Sequence, residues 1–554
     1  MHKHRWFWPL LIALPLLAWV LYPVIALLQE SLTLPVAGWR ARAMGWDEFA
    51  QPFGAPLRRM FAEGTAREAI FGTVLISVLS ALASSAWGLA LALLWFRREF
   101  PLRRVFAALG YAPLLMPPLV GTIAFFRLIG EGGLLWGSGA PPLSGFNLVL
   151  TMHTYSFGVY TYAFVSSALD GADQSREEAA RSLGAGVFRT FWTAVMPVVW
   201  LPLLASLLLT LMASAASFSA PFILDNTSRY LPVEIFREGI SGDIGMQRAL
   251  TTALAIISIS VLPFFLLATR QGKVSPEAAY GLKGHARRTL RRCRGAAALA
   301  RVILSLVASL ILIAPPALVL GAAVFPALIN APDLPPFGIF STITSPDITS
   351  LLRSSLYAAI AALVVTGFAS VIAITLRRSN VWGALPVEVP VMLAVALPGS
   401  AIAIALKSAV HSGSWLSLGV PLGGTAFILI VAYAIRNLPL AVRPARAAIA
   451  AIGTDMEHAA ASLGATPLFV KLRVLLPLIF PSLLAAFLVC FINGAGEFVA
   501  SVLLFVPSTT PVSVRINELY RVDRAPAYAL SLCLMLLSGV AIAGAAWLQR
   551  RLAR

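Results

Sequence analysis

The stretch EEAARSLGAGVFRTFWTAVMP, Glu177–Pro197, is a polar interruption in a chain that otherwise consists mostly of long apolar runs. A second copy, MEHAAASLGATPLFVKLRVLLP, spans Met456–Pro477. In each copy, residues that favour a helix precede a glycine, which readily ends a helix or turns the chain. A proline then stands at the start of the next apolar run, where its missing N–H matters little. We therefore expect each copy to form a short helix outside the membrane, held by two bends between spanning helices.

The composition is that of an integral membrane protein. Of the 554 residues, 59% are hydrophobic and only 12% are charged, whereas soluble chains carry roughly 25% charged residues. The net charge of +18 does not indicate nucleic-acid binding, because the basic residues lie in short clusters between apolar runs. The three cysteines have no metal-ligand spacing, and we expect no metal site.

Twelve apolar runs are long enough to span a bilayer, which takes about 20 helical residues. They are too long and continuous for barrel strands, so the predicted fold is an all-α polytopic membrane protein with about twelve transmembrane helices. The first run, Trp6–Leu28, exceeds the core of a signal peptide, and we expect it to be retained. The other runs are Ala69–Phe96, Val105–Phe126, Phe146–Leu169, Met196–Leu224, Ala249–Thr269, Val302–Ile329, Ser354–Leu376, Val389–Leu406, Gly423–Ile435 with its extension, Val474–Gly496 and Ala525–Leu548.

The basic clusters predict the orientation of these helices. Twelve crossings place nearly all of the clusters on one side, which the positive-inside rule identifies as the cytoplasm, together with both termini. The exception is the long segment 30–68, which carries arginines on the other side. The cytoplasmic clusters are 2–5, 97–104, 176–181, 283–294, 377–378, 443–446 and 549–554.

An internal repeat divides the chain into two halves. A shift of 280 positions brings identical residues into register without gaps. We therefore predict two tandem, parallel halves of about six helices: a first domain at 1–270, a basic cytoplasmic linker at 271–300 and a second domain at 301–554. The polar segments lie at 173–197 and 453–477, between the fourth and fifth helices. The matched pairs are Gly184 with Gly464, Pro197 with Pro477, Arg97 with Arg377, Arg98 with Arg378, Pro118 with Pro398, Phe218 with Phe498, Glu238 with Glu518 and Leu250 with Leu530.

The repeated polar segment resembles the EAA loop of ABC importer permeases, E-A-A-x3-G-x9-I-x-L-P. The second copy departs from this motif, because His458 stands where glutamate is expected and Glu457 lies one place earlier. The resemblance covers essentially the whole chain, as two fused permease domains similar to type I importers for ferric iron, thiamine and related solutes. The residues that match the motif, which the resemblance implies couple to an ATPase, are Glu178, Ala179, Ala180, Gly184 and Pro197, and then Glu457, His458, Ala459, Ala460, Gly464 and Pro477.

The resemblance implies a mechanism and a set of partners in a bacterial inner membrane. Each EAA helix would dock in a cleft of one of two copies of a cytoplasmic ABC ATPase subunit. ATP would close the ATPase pair and open the permease to a periplasmic solute-binding protein. The chain has no G-x4-G-K-[ST] phosphate loop, so ATP is expected only on the partner and no cofactor on this chain. The fused architecture suggests ferric iron as the first candidate solute and thiamine as the second, followed by phosphonate or polyamine.

Five ionisable residues lie at membrane depth, where such groups are often functional. The plain interpretation for each is a side chain that reaches to the interface. Glu497 aligns with Ser217, and we expect these two to face the substrate pathway. His153 is expected to be packed or hydrogen-bonded, and the prolines at 116–118 and 397–399 are expected to break the third helix of each half. The five residues are Arg127, Asp225, Lys407, Arg436 and Glu497.

A secondary transporter with two parallel six-helix halves is the main alternative. The position of the polar repeat favours the ABC permease, as does the lack of a buried carboxylate chain for proton coupling. A membrane-embedded enzyme has less support, because the sequence offers no nucleophile–base constellation.

Overall fold

The computed structural model describes residues 7–33, 53–137, 143–171, 175–271, 292–377, 381–411, 414–417, 419–453 and 455–552. Most of the predicted linker therefore lies outside the described residues. The helices of the first half are α1 (Phe7–Leu16), α2 (Tyr22–Thr33), α3 (Ala55–Ala62), α4 (Gly64–Phe96), α5 (Arg103–Leu109), α6 (Pro118–Ile129), α7 (Gly145–Gly171), α8 (Ser175–Ser182), α9 (Val187–Thr190), α10 (Met196–Ala215), α11 (Ser219–Leu224), α12 (Leu231–Ser241) and α13 (Ile244–Gln271).

The second half repeats this order, as expected for a duplicated sequence. Its helices are α14 (Ala296–Val324), α15 (Ser345–Leu376), α16 (Val381–Ala396), α17 (Gly399–Ala409), α18 (Ala426–Ala451), α19 (Asp455–Ser462), α20 (Pro467–Phe469), α21 (Leu476–Ala495), α22 (Val499–Leu504), α23 (Val512–Val522) and α24 (Arg524–Leu552). The pairs α8 and α19, α10 and α21, and α11 and α22 each begin and end 280 residues apart. The tandem repeat is therefore confirmed.

The predicted all-α polytopic fold is also confirmed. Among the described residues, nine helices are long and apolar enough to cross a membrane. The other three predicted spans correspond to α7 and to two broken helices, α5–α6 and α16–α17. Both breaks lie at prolines, because Pro117 and Pro398 adopt extended ψ angles of 144° and 151° just before α6 and α17.

The two halves interlock through their first and third spans. Helices α1 and α2 pack against α16 and α17 of the second half, and α14 packs against α5 and α6 of the first half. Each broken helix is thus covered by the first span of the other half. Where the halves meet, the rings of Phe218 and Phe498 lie 5.6 Å apart, and both are buried. Because these phenylalanines are equivalent in the repeat, they mark the pseudo-symmetry axis.

Helices α4 and α7 approach each other closely at Gly88. A Cβ atom there would lie 2.3 Å from the backbone oxygen of Gly158 and 2.7 Å from Cβ of Thr161. Gly88→Ala should therefore destabilise the protein by about 1–3 kcal/mol, because a backbone oxygen cannot move without shifting a helix. The thermal midpoint of the purified protein measures this effect. Gly367→Ala, in open space on α15, is the matched control, and equal midpoints for the two variants would contradict the prediction.

Candidate coupling surface and translocation site

Both polar segments form the short helices predicted from the sequence, α8 and α19. Each ends at a glycine with positive φ, +78° at Gly184 and +82° at Gly464. The N–H of Ala185 donates to the oxygen of Ala180 at 3.0 Å, and the same bond recurs 280 residues on at 3.1 Å. This pattern is the Schellman ending, in which a left-handed residue favours glycine. The first of the two predicted bends is therefore confirmed in each copy.

The prediction of a second bend, at the proline, is wrong. Pro197 and Pro477 do not begin the spanning helices, which run without a break over Val187–Ala215 and Pro467–Ala495. A π-helical turn precedes each proline, so that the N–H of Met196 bonds five residues back to Phe191. A proline lacks an N–H and crowds the carbonyl four residues earlier, and the wider turn accommodates it inside the helix.

An ion pair joins each short helix to the end of the second span of its half. Arg97, at the end of α4, lies 3.1 Å from Glu177, and Arg377, at the end of α15, lies 2.9 Å from Glu457. Arg377 also donates to the backbone oxygen of Ile452, just after α18. These four charged residues match across the repeat. Because Glu177 and Glu457 precede the motif position, the departure at His458 leaves this ion pair intact.

The sequence analysis did not assign Arg97, Arg377 or Glu177 to an ion pair that holds the short helices. The 280-residue alignment contained the signal, since it matches Arg97 with Arg377 and Glu177 with Glu457. It did not indicate that the two members of each pair meet, because they stand 80 positions apart in the sequence.

The motif residues beyond the ion pair form an exposed face on each short helix. Glu178, Ala179, His458 and Ala459 are exposed, and Ala180 and Ala460 are half-buried. Large apolar side chains follow them: Leu183 is 87% exposed and its equivalent Leu463 is 89% exposed. Two matched apolar surfaces of this kind are typical of a protein–protein contact.

Ser217 lies between α10 and α11, next to the phenylalanine pair at the axis. Its hydroxyl is 2.9 Å from Nε2 of His153, whose Nδ1 is 3.0 Å from the hydroxyls of Ser80 and Ser214. His153 is fully buried, so the prediction of a packed or hydrogen-bonded histidine is confirmed. Among the described residues, no three His, Cys, Asp or Glu side chains form a group that could hold a metal ion.

Glu497 occupies the equivalent place in the second half and forms an ion pair there. Its Oε2 lies 2.7 Å from Nε of Arg436, and its Oε1 accepts from the N–H of Ala500 at 3.1 Å. Arg436 lies ten residues inside α18, about 15 Å from its start. The interpretation of these two residues as side chains that reach to the interface is therefore wrong. Each instead contacts the other.

The same interpretation is wrong for two further ionisable residues. Arg127 is buried and donates to the backbone oxygen of Leu328 at 2.7 Å. Asp225 is buried just after α11, where its carboxylate accepts hydrogen bonds from the N–H groups of Thr227 and Ser228 and from the hydroxyl of Tyr230. Lys407, by contrast, is exposed.

The sequence matches the family of binding-protein-dependent transport system inner membrane components twice, over residues 84–274 and 366–554. One relative is a probable ABC transporter permease protein, y4fN, of Sinorhizobium fredii. It is 26% identical over 93% of this chain and 90% of its own length.

Two further relatives carry names that include a solute. The Fe(3+)-transport system permease protein FbpB 2 of Haemophilus influenzae is 27% identical over 86% of this chain and 88% of its own length. A probable molybdenum ABC transporter permease protein of Haloferax volcanii is 31% identical, over 34% of this chain and 70% of its own length.

Proposed function

This chain belongs to the family of binding-protein-dependent transport system inner membrane components, and we propose that it is the fused permease subunit of an ATP-driven importer. In this role it passes a small solute from a periplasmic binding protein to the cytoplasm. The observation that carries the proposal is the matched pair of short helices, α8 and α19, each with the same glycine turn and the same arginine–glutamate ion pair.

Each short helix docks in a cleft of one of two copies of a cytoplasmic ABC ATPase subunit. The exposed motif residues of α8 and α19, with Leu183 and Leu463, form the contact. When ATP closes the ATPase pair, the two helices move together. The ion pairs Arg97–Glu177 and Arg377–Glu457 transmit this motion to the second span of each half, because a charged pair of low exposure resists separation. ATP binds the partner, and this chain has no phosphate loop.

The solute pathway passes between the halves, beside Ser217 and Glu497. Both residues directly precede the phenylalanines that meet at the axis, Phe218 and Phe498. While the rings of Phe218 and Phe498 are in contact, they block the axis. The side chains of Ser217 and Glu497 are then the first polar groups that a solute would meet. Separation of the rings would accompany opening.

The domain bounds and the orientation are part of the same proposal. Residues 1–270 and 301–554 are the two permease domains, the basic segment between them is a cytoplasmic linker, and both termini are cytoplasmic. Ferric iron is the first candidate solute, supported by the ferric permease among the relatives. The molybdenum permease adds molybdenum as a candidate, and thiamine, phosphonate and polyamine follow.

The first experiment is to tag the C-terminus, solubilise native membranes gently and identify the co-purifying proteins by mass spectrometry. We expect an ATPase with a phosphate loop, together with a periplasmic protein whose ligand can be screened. Repeated recovery of the chain alone would contradict the proposal if uptake also survived ATP depletion but not collapse of the ion gradient. That combination would identify a secondary transporter.

A further inference from the structure

The ion pair between Arg436 and Glu497 occurs in only one half of the repeat. The equivalent positions in the first half are Ser156 and Ser217, both neutral. The pair lies where the halves meet, since a Cβ atom on Gly496 would be 2.9 Å from Cβ of Pro117 in the first half. Charged side chains inside a membrane cost free energy, and they are usually found there because they serve a function. The second half therefore carries a charged site that the repeat alone does not require.

The two side chains of the pair differ in exposure and in their remaining capacity for hydrogen bonds. The side chain of Glu497 is only 4% exposed, and both of its carboxylate oxygens contact protein donors. The side chain of Arg436 is 31% exposed, and its two terminal nitrogens have no hydrogen-bond partner among the described residues. A guanidinium has five N–H donors and no acceptor, so the part of the pair that remains exposed offers hydrogen-bond donors.

The guanidinium lies against the start of α17. A Cβ atom on Gly399, the first residue of this eleven-residue helix, would be 2.3 Å from Nη1 of Arg436. Within the described part of the chain, no side chain caps the helix, and the buried hydroxyl of the next residue, Ser400, has no hydrogen-bond partner. The first N–H groups of a helix carry partial positive charge. The first half has Leu119 at the position of Gly399.

We propose that Arg436 and the first turn of α17 form an anion-binding site on the pathway. The inference rests on the proposed permease function and specifies its solute class: an oxyanion, or a metal ion held in an anionic chelate. The donors of Arg436 can bind carboxylate, phosphate or sulfate oxygens. A bare cation would meet the open guanidinium, while the carboxylate of Glu497 is already engaged by Arg436 and by the N–H of Ala500. Ferric iron would therefore cross as an anionic complex.

The test measures thermal unfolding of the full chain in lipid nanodiscs by tryptophan fluorescence. The anion probes are sodium sulfate, sodium molybdate and ferric citrate, and the cation probes are thiamine and putrescine, all against sodium chloride at equal ionic strength. A ligand that binds the folded state raises the unfolding midpoint. We expect the anions, but not the cations, to raise it. In the double variant Arg436→Gln/Glu497→Gln, the anion concentration that gives half of the maximal shift in unfolding midpoint should rise at least about tenfold.

The matched control is Arg446→Gln/Glu388→Gln, which removes an ion pair of 2.5 Å from the same helix, α18, nearer its C-terminal end. This control should keep the wild-type response. An unchanged response in the Arg436 variant, protection by the cations alone, or no anion effect in the wild type would each overturn the proposal. If the ATPase co-purifies but the anion effect is missing, only the anion inference fails. If no ATPase co-purifies and uptake is ion-driven, the permease function itself fails.

Discussion

Replacing both turn glycines, Gly184→Val with Gly464→Val, is expected to lower solute uptake at least about tenfold while ATP hydrolysis by the complex continues. Both glycines have positive φ, a conformation that costs a β-branched residue about 1–3 kcal/mol. The strain would open the Schellman ending of α8 and α19 and change how each helix meets the ATPase. Insertion should be normal, because a Cβ atom at either site meets nothing within 4 Å. Uptake and ATP hydrolysis in proteoliposomes measure the two effects separately.

Gly186 supplies a matched control for this prediction. It lies two residues after Gly184, has an ordinary φ of −64° and is also in open space. Gly186→Ala should therefore transport at close to the wild-type rate. Normal uptake by the double valine variant would refute the coupling role of the two turns.

Replacing the acids of the two ion pairs, Glu177→Gln with Glu457→Gln, should also lower uptake at least about tenfold, since each change leaves an arginine of low exposure without its charged partner. The short helices would lose their attachment to α4 and α15. We expect the ATPase still to co-purify, because the exposed face of α8 and α19 is unchanged. Uptake and ATPase recovery from the same membranes provide both readouts.

The chain itself suggests the control for the acid variants. Glu178 is exposed and its equivalent is His458, so Glu178→His copies into the first half what the second half already has. This variant should retain most of its uptake. If Glu178→His abolished uptake while the double glutamine variant transported normally, the motif position rather than the ion pair would hold the coupling helix.

Much of the fold follows from the sequence alone, for physical reasons that are local. A bilayer demands about 20 apolar helical residues per crossing, so the spans could be located from composition along the chain. The duplication was evident from matched residues such as Phe218 and Phe498. The helix stop at Gly184 and the break at Pro398 were predictable, because glycine and proline act on the backbone within one turn.

The spans, the repeat and the two short helices could all be read from the amino-acid sequence. The packing of the helices decided which charged side chains meet: Arg97 contacts Glu177, and Arg436 contacts Glu497. The structure also shows that Pro197 lies inside a helix, after a π-helical turn. Backbone preferences and hydrophobic periodicity act over a few residues, and they can therefore be recognised in the sequence. The partner of a buried charge is instead set by packing between helices far apart in the chain.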